Sequence, residues 1–397
     1  MKTRLYAACG LALLGWLAAR PAMAAPFMIV GNDEKPGTDA QGKPIVNPTG
    51  KDSVQIVDLA NPEAPKIVAT LPLENSIVGP PVNLGISPNG HLALVADSMT
   101  VTQDNGTNKL TPTDKLFVID MTASPPKLVQ TLTVGKQPSG LSFSPKGDIA
   151  LVCNRADGTI SILKIDGMQV TEAGRVTVSP GVAQVVFTPD GKHALAVRSP
   201  DNAVAMLDVD GDKVTYNKVD FPTYLFPYNV VVAPNGHLAL TADNGHGGSS
   251  DGNADTVSVI DLQGPHPHVV AHVTVGDAPE GLAISPRGDL AAVANVDGSN
   301  MPKAWFHHPH ASVTILRIRG MTVTPIRTIP VGAFTEPLVF SPDGRYIYAG
   351  NFADQDFSIL KVNGETVVDT GKRLKMGGHP ASAAMGPAVA ARPASGK

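Results

Sequence analysis

The sequence predicts an all-β fold, a seven-bladed β-propeller, and three observations carry that prediction. A four-residue turn of the form Ser/Thr/Ala-Pro-x-Gly recurs six times, starting at Ser87, Ser144, Thr188, Ala233, Ser285 and Ser341, at intervals of 44 to 57 residues. A short apolar segment precedes each turn and another follows it, usually reading x-h-A-h-V-A, which is a repeated sheet hairpin. The chain carries 39 Gly and 35 Pro but only 5% aromatic residues, a composition of many reversals packed by small apolar side chains.

Residues 1–24 read as a secretory signal peptide. Lys2 and Arg4 give a basic start, 11–19 a short apolar core, and Ala22-Met23-Ala24 small residues before a cleavage point. That core falls short of the ~20 apolar residues of a bilayer span, so no stable membrane anchor is expected and the protein is placed in the periplasm or secreted. Removing Lys2, Arg4 and Arg20 takes the formal charge from −4 to −7. A mildly acidic chain without a Lys/Arg block has no steering toward nucleic acid, which is not an expected partner. Cys153 then stands alone in the apolar run 150–153, expected as a buried core thiol, so no disulfide framework holds the fold.

Residues 27–30, 53–57 and 67–71 look like strands b, c and d of a blade that lacks its strand a. The missing strand is supplied at the other end by 381–385, introduced by Gly377-Gly378-His379-Pro380. Joining them gives a composite seventh blade and removes the exposed edges of an open ring. Blade order is plainest at 138–176, with strand a at 139–143, the Ser144 turn, b at 149–153, c at 159–165, the Asp166-Gly167 turn and d at 170–176. Strand c recurs at 115–119, 203–207, 256–260, 312–316 and 357–362. The propeller is expected over 25–386, with 387–397 a flexible tail rich in Ala, Pro and Gly.

The stretches Pro279-Glu280-Gly281-Leu282-Ala283-Ile284-Ser285-Pro286-Arg287-Gly288 and Asp289-Leu290-Ala291-Ala292-Val293-Ala294-Asn295 show the repeat best. They resemble the seven-bladed YVTN-type propeller family, including its lactonase-like relatives, and the resemblance covers essentially the whole mature chain. It implies fold and export more than reaction, because relatives of this shape include binding proteins, redox-associated proteins and lactone-processing enzymes.

Propeller topology sorts the loops by face. The Ser-Pro-x-Gly and c–d turns share one face, and the b–c and d–a loops share the other, where 32–52, 98–114, 244–255 and 298–311 are insertions. Insertions gathered on one rim mark a candidate binding face. Just beyond strand b lie Asp97, Asn154, Arg155, Arg198, Asp243, Asn295 and Asn351; just before strand a lie Asn83, Tyr228, Asn229, Glu280, Glu336 and His379. Arg155 and Arg198 occupy similar positions in adjacent blades and are expected to clamp a carboxylate. Glu280, Glu336 and His379 are the candidate acid/base groups. Tyr228, Trp305 and Asn83 are candidate ligand contacts. The alternative is a hydrated polar funnel whose charges satisfy one another.

Trp305-Phe306-His307-His308-Pro309-His310 is the densest histidine segment. His246, His308 and His310 are candidate ligands of a divalent transition metal, with solvent-facing imidazoles as the other reading. No HExxH helix or Cys/His quartet supports a defined centre, so no cofactor is assigned. Two functions stay open. One is a periplasmic propeller that binds a polar or anionic small molecule, or a protein partner, on the long-loop face; the other is a lactone hydrolase or isomerase using the charged residues of the funnel. A closed ring permits a monomer and leaves association through an insertion open.

Overall fold

The computed structural model describes residues 26–387 apart from 39–43, 77, 246 and 248. The expected signal peptide (1–24) and residues 388–397 of the expected tail lie outside the described residues. Seven four-stranded antiparallel sheets account for the body, with one two-stranded ribbon, Pro36–Thr38 with Pro44–Val46, in the insertion of the closing blade. Blades one to six follow the chain, and blade seven closes it. Blade two consists of Pro138–Phe143, Ile149–Asn154, Thr159–Asp166 and Gln169–Thr177, within a residue or two of expectation.

Each blade is buried through its middle. Strand b is buried at every position in Ile149–Asn154, Leu238–Asp243, Leu290–Asn295 and Tyr346–Asn351, because neighbouring blades cover both of its faces. Strand d at the rim alternates, as in Lys66–Pro72, because one of its faces meets water. The buried side chains form seven clusters, one at each blade-to-blade interface. The core is therefore a ring of layers in which each blade packs on its two neighbours.

Blade seven is composite, as expected. Pro380–Met385 pairs antiparallel with Phe27–Asn32, with Met28 opposite Met385 and Val30 opposite Ala383, and Ser53–Asp58 and Lys66–Pro72 complete the sheet. The Gly386 N–H donates to the Phe27 carbonyl at 2.8 Å, the bond that Ser87 makes to Leu92 and Ser144 to Ile149 in the continuous turns. Gly386-Pro387 thus stands where Ser-Pro stands in the other six. The turns also interlock: a Cβ on Gly147 would lie 3.1 Å from Pro88, and one on Gly90 would lie 3.2 Å from Pro387. Pro387 therefore belongs to the ring rather than to the tail.

One expectation is corrected. Residues 98–114 are not a loop insertion but an extension of the blade-one hairpin, Leu92–Asp104 with Thr107–Asp120. Asn105 and Gly106, both at positive φ (49° and 77°), make the two-residue reversal that strand twist favours.

Candidate functional site

Two sets of equivalent positions lie where the inner strands open toward the long-loop face. One is the second residue of strand a, which is Ser139, Ala183, Tyr228, Glu280, Glu336 and Ala381 in blades two to seven. All six are buried. The other is the residue following strand b. In five blades it donates its N–H to the carbonyl just before strand a: Arg155 to Gln137, Asn244 to Phe226, Val296 to Ala278, Phe352 to Phe334 and Asp33 to His379, at 2.8 to 3.2 Å. Four of these acceptors, Gln137, Phe226, Ala278 and Phe334, sit in the left-handed region at φ 50° to 59°. Such residues cost on the order of 1–3 kcal/mol each, so the repeated turn is held by the surrounding fold.

These positions bring Arg155, Tyr228, Glu280 and Glu336 into one electrostatic group. The Arg155 guanidinium lies 5.7 Å from the Tyr228 ring centre. Burial pushes the Glu280 carboxyl up, and the charge of Arg155 opposes that shift. Burial also drives Glu336 well above the carboxylate range, with the negative charges of Glu280 and Asp33 adding to it. Its Oε2 has no hydrogen-bond partner among the described residues. Burial and the neighbouring Glu280 and Glu336 keep the Tyr228 phenol protonated. Among the described residues Arg155 makes no ion pair. The group therefore offers a cation, a phenol, a carboxyl that keeps its proton and a second that ionises first, being the one next to the cation.

Beside it lies a buried lysine that the sequence did not single out. Lys35 Nζ bonds Asp52 and the Asn75 carbonyl, lies 3.1 Å from Asp33 and 3.7 Å from Glu74, and has no exposed side-chain surface. Burial opposes its charge, but Asp33 and Asp52 outweigh that and raise its pKa. Asp97 borders this cluster. Burial raises its pKa to about 7, with Lys35 opposing and Glu74 and Asp52 adding to the shift.

Several expected site residues stand elsewhere. Arg198 does not join Arg155: its guanidinium bonds Asp201 at 2.7 Å, Asp220 at 2.5 Å, Tyr216 and Ser179. The reason is a one-residue offset. Arg198 opposes Ala203 as Asn154 opposes Thr159, so the counterpart of Arg155 in blade three is the buried Ser199. Trp305 is 89% exposed with its ring edge on Phe306, so it does not wall the funnel. Asn83 donates to the Ala96 carbonyl at 2.9 Å. His379 Nε2 accepts from Gln355 at 3.2 Å and Nδ1 faces Glu34 at 2.8 Å, which commits both ring nitrogens. His308 and His310 are exposed, and His246 lies outside the described residues. No group of three or more His, Cys, Asp or Glu among the described residues is placed to hold a metal ion.

The Asn and Asp at the ends of strand b are pins within their own blades. Asn154 donates to Thr159 and Ser161 at 3.0 and 2.9 Å, and Asn295 to Ser312 and Thr314 at 3.1 and 2.9 Å. Asp243 accepts from Thr256 and Ser258 at 2.9 and 2.6 Å. Each fastens strand b to the start of strand c.

No helix among the described residues is long and apolar enough to cross a membrane. No protein-family model matches the sequence, and no curated protein matches it. Solved structures do match. A Bacteroides fragilis protein provisionally assigned as a 6-phosphogluconolactonase aligns over 91% of this chain and 97% of its own, at 14% identity and TM-score 0.68. The Pseudomonas aeruginosa periplasmic gluconolactonase aligns over 91% and 98%, at 15% identity and TM-score 0.65. Hydrazine synthase from Kuenenia stuttgartiensis aligns over 73% and 78%, at 20% identity and TM-score 0.57. The chain is thus a seven-bladed β-propeller with lactonase-like proteins among its structural relatives, and at these identities what they share is the fold.

Proposed function

We propose that this propeller is an exported lactone-processing enzyme acting at the cluster of Arg155, Tyr228, Glu280 and Glu336. The observation that carries the reading is the paired carboxyls of Glu280 and Glu336, buried on adjacent blades with their affinities for a proton raised beside one cation. Two acids that cannot both ionise supply one proton donor and one acceptor. In hydrolysis above about pH 8, where Glu280 has ionised, its carboxylate takes a proton from the water that attacks the lactone carbonyl. Arg155 stabilises the charge that develops on the carbonyl oxygen. Glu336 gives its proton to the ring oxygen as the C–O bond breaks, leaving a hydroxy acid. Structural relatives described as lactonases favour the same reading, as does a periplasmic one for export.

The test is a panel of γ- and δ-lactones of sugars, with acid release followed by pH-stat. Glu280→Gln and Glu336→Gln are each expected to lower kcat about 10²–10⁴-fold with little change in KM. Rates at the uncatalysed level across the panel, or unchanged kcat in both variants, overturn the proposal. The absence of an ion pair at Arg155 among the described residues favours a second reading, a binding protein for a small anion. Tight binding of a sugar acid without turnover, weakened about 1–3 kcal/mol by Arg155→Ala, supports that reading instead.

A further inference from the structure

The insertions of blades four and five border an open cavity that the axial cluster does not use. Its volume is about 510 Å³, within the range of small-molecule sites, and Asp277, Asp297, Phe306, His308 and His310 are among its walls. Phe306 is held in place by close packing: a Cβ on Gly252 would lie 2.7 Å from it and one on Gly298 2.9 Å. Gly252 and Gly298 are both at positive φ, so the two loops grip the ring through backbone.

Both carboxylates are fixed by neutral donors. Asp277 accepts from the Asp251 and Gly252 N–H groups at 3.2 and 3.0 Å, and Asp297 accepts from the Asp277 N–H at 3.0 Å and from the Ser312 hydroxyl. Among the described residues neither forms an ion pair, and no Lys or Arg lines the cavity. Burial raises the pKa of Asp277, and the neighbouring charges of Asp251 and Asp297 add to that shift, so an entering cation relieves a standing repulsion. Phe306 is part of the same lining, and an aromatic ring attracts cations and covers methylenes.

We propose that this cavity is a second binding site, for an organic ammonium group on a short aliphatic chain, with Asp277 and Asp297 taking the charge and Phe306 the methylenes. The chemistry is shared by free alkylamines and lysine side chains. Calorimetry with 1,5-diaminopentane, acetyl-Gly-Lys-Gly-amide and neutral 1,5-pentanediol tests it. Saturable binding is expected for at least one cation and none for the diol; the tighter of the two cations identifies a free amine or a side chain as the source. Asp277→Asn and Asp297→Asn are each expected to weaken binding at least tenfold. Because those carboxylates also hold loops, a second pair of variants is placed at the exposed Ala254 in the wall. Ala254→Lys, which puts a tethered ammonium there, is expected to abolish binding, and Ala254→Gln to retain it. Equal binding of diol and diamine, no saturable heat with either cation, or undiminished binding by Ala254→Lys overturns the site. None of these outcomes depends on turnover at Glu280 and Glu336.

Discussion

Replacing Lys35 with methionine isolates what the buried charge cluster contributes. The Lys35 and Asp52 side chains have no exposed surface and Asp33 has 1%, so losing the ammonium removes the positive charge beside two buried carboxylates. Removing one partner of such a group costs about 3–5 kcal/mol. Methionine keeps most of the aliphatic volume, so the packing contribution to the change is small. Urea unfolding at pH 7 followed by circular dichroism is the assay, and a loss of about 3–5 kcal/mol is the expected result. Adding Asp52→Asn is expected to restore part of it, because the second variant removes one stranded charge. A loss under about 1 kcal/mol, or full additivity of the two changes, refutes the reasoning that Lys35 holds ionised carboxylates. The alkaline limit follows from the sign of the shift. Since folding raises the pKa of Lys35, its contribution is whole below the ordinary value of 10.5 and is lost as pH rises through the higher folded value.

The acidic neighbours give further tests. Asp97 binds its proton more tightly folded (about 7) than unfolded (3.8), so it favours folding below that window and its contribution is lost as pH rises through it. Asp97→Asn is therefore expected to reduce the decline in urea midpoint between pH 4.5 and 8, and an unchanged decline contradicts the burial argument. Glu63 reaches from blade seven to Lys361, Lys372 and Tyr346 of blade six, and these bonds hold its pKa at about 2. Its contribution is present above the ordinary 4.5 and is lost as pH falls through about 2, so Glu63→Gln is expected to narrow the stability difference between pH 5 and pH 2 in acid titrations. Deleting 379–397 removes strand a of blade seven and exposes the edge of Phe27–Asn32; loss of cooperative thermal unfolding or aggregation is expected, and an unchanged melting curve contradicts the closure.

The blades were legible because Pro and Gly punctuate them at fixed places, and the composite blade because the strand missing at one end was present at the other. The candidate site was legible in part. Tyr228, Glu280 and Glu336 fall at one repeat position, which any alignment of the repeats brings together. Arg155 and Arg198 look equivalent by eye but differ by one residue in ladder register, and one residue in a strand reverses where a side chain goes. The three-residue turn of 3-10 helix at Ser199–Asp201 follows Arg198 directly and gives no repeat signal of its own. Asn105-Gly106 between Thr-rich stretches was a hairpin signal inside what read as an insertion. Lys35 was not legible because its partners Asp52 and Asn75 are brought to it by the insertion's path, not by the repeat.

The seventh turn, made of Gly386-Pro387 and the first strand at Phe27, means that the ring has no privileged beginning. Its closing hydrogen bond and its proline contact are those of the six continuous turns, so the seventh position is held by the same contacts as the rest. Bridging Pro387 to Pro26 with a short x-Gly linker and opening the chain at Pro88-Asn89 instead yields a circular permutant with the same seven interfaces. Such a permutant should melt within a few degrees of the parent, with the split blade merely moved one place around the circle.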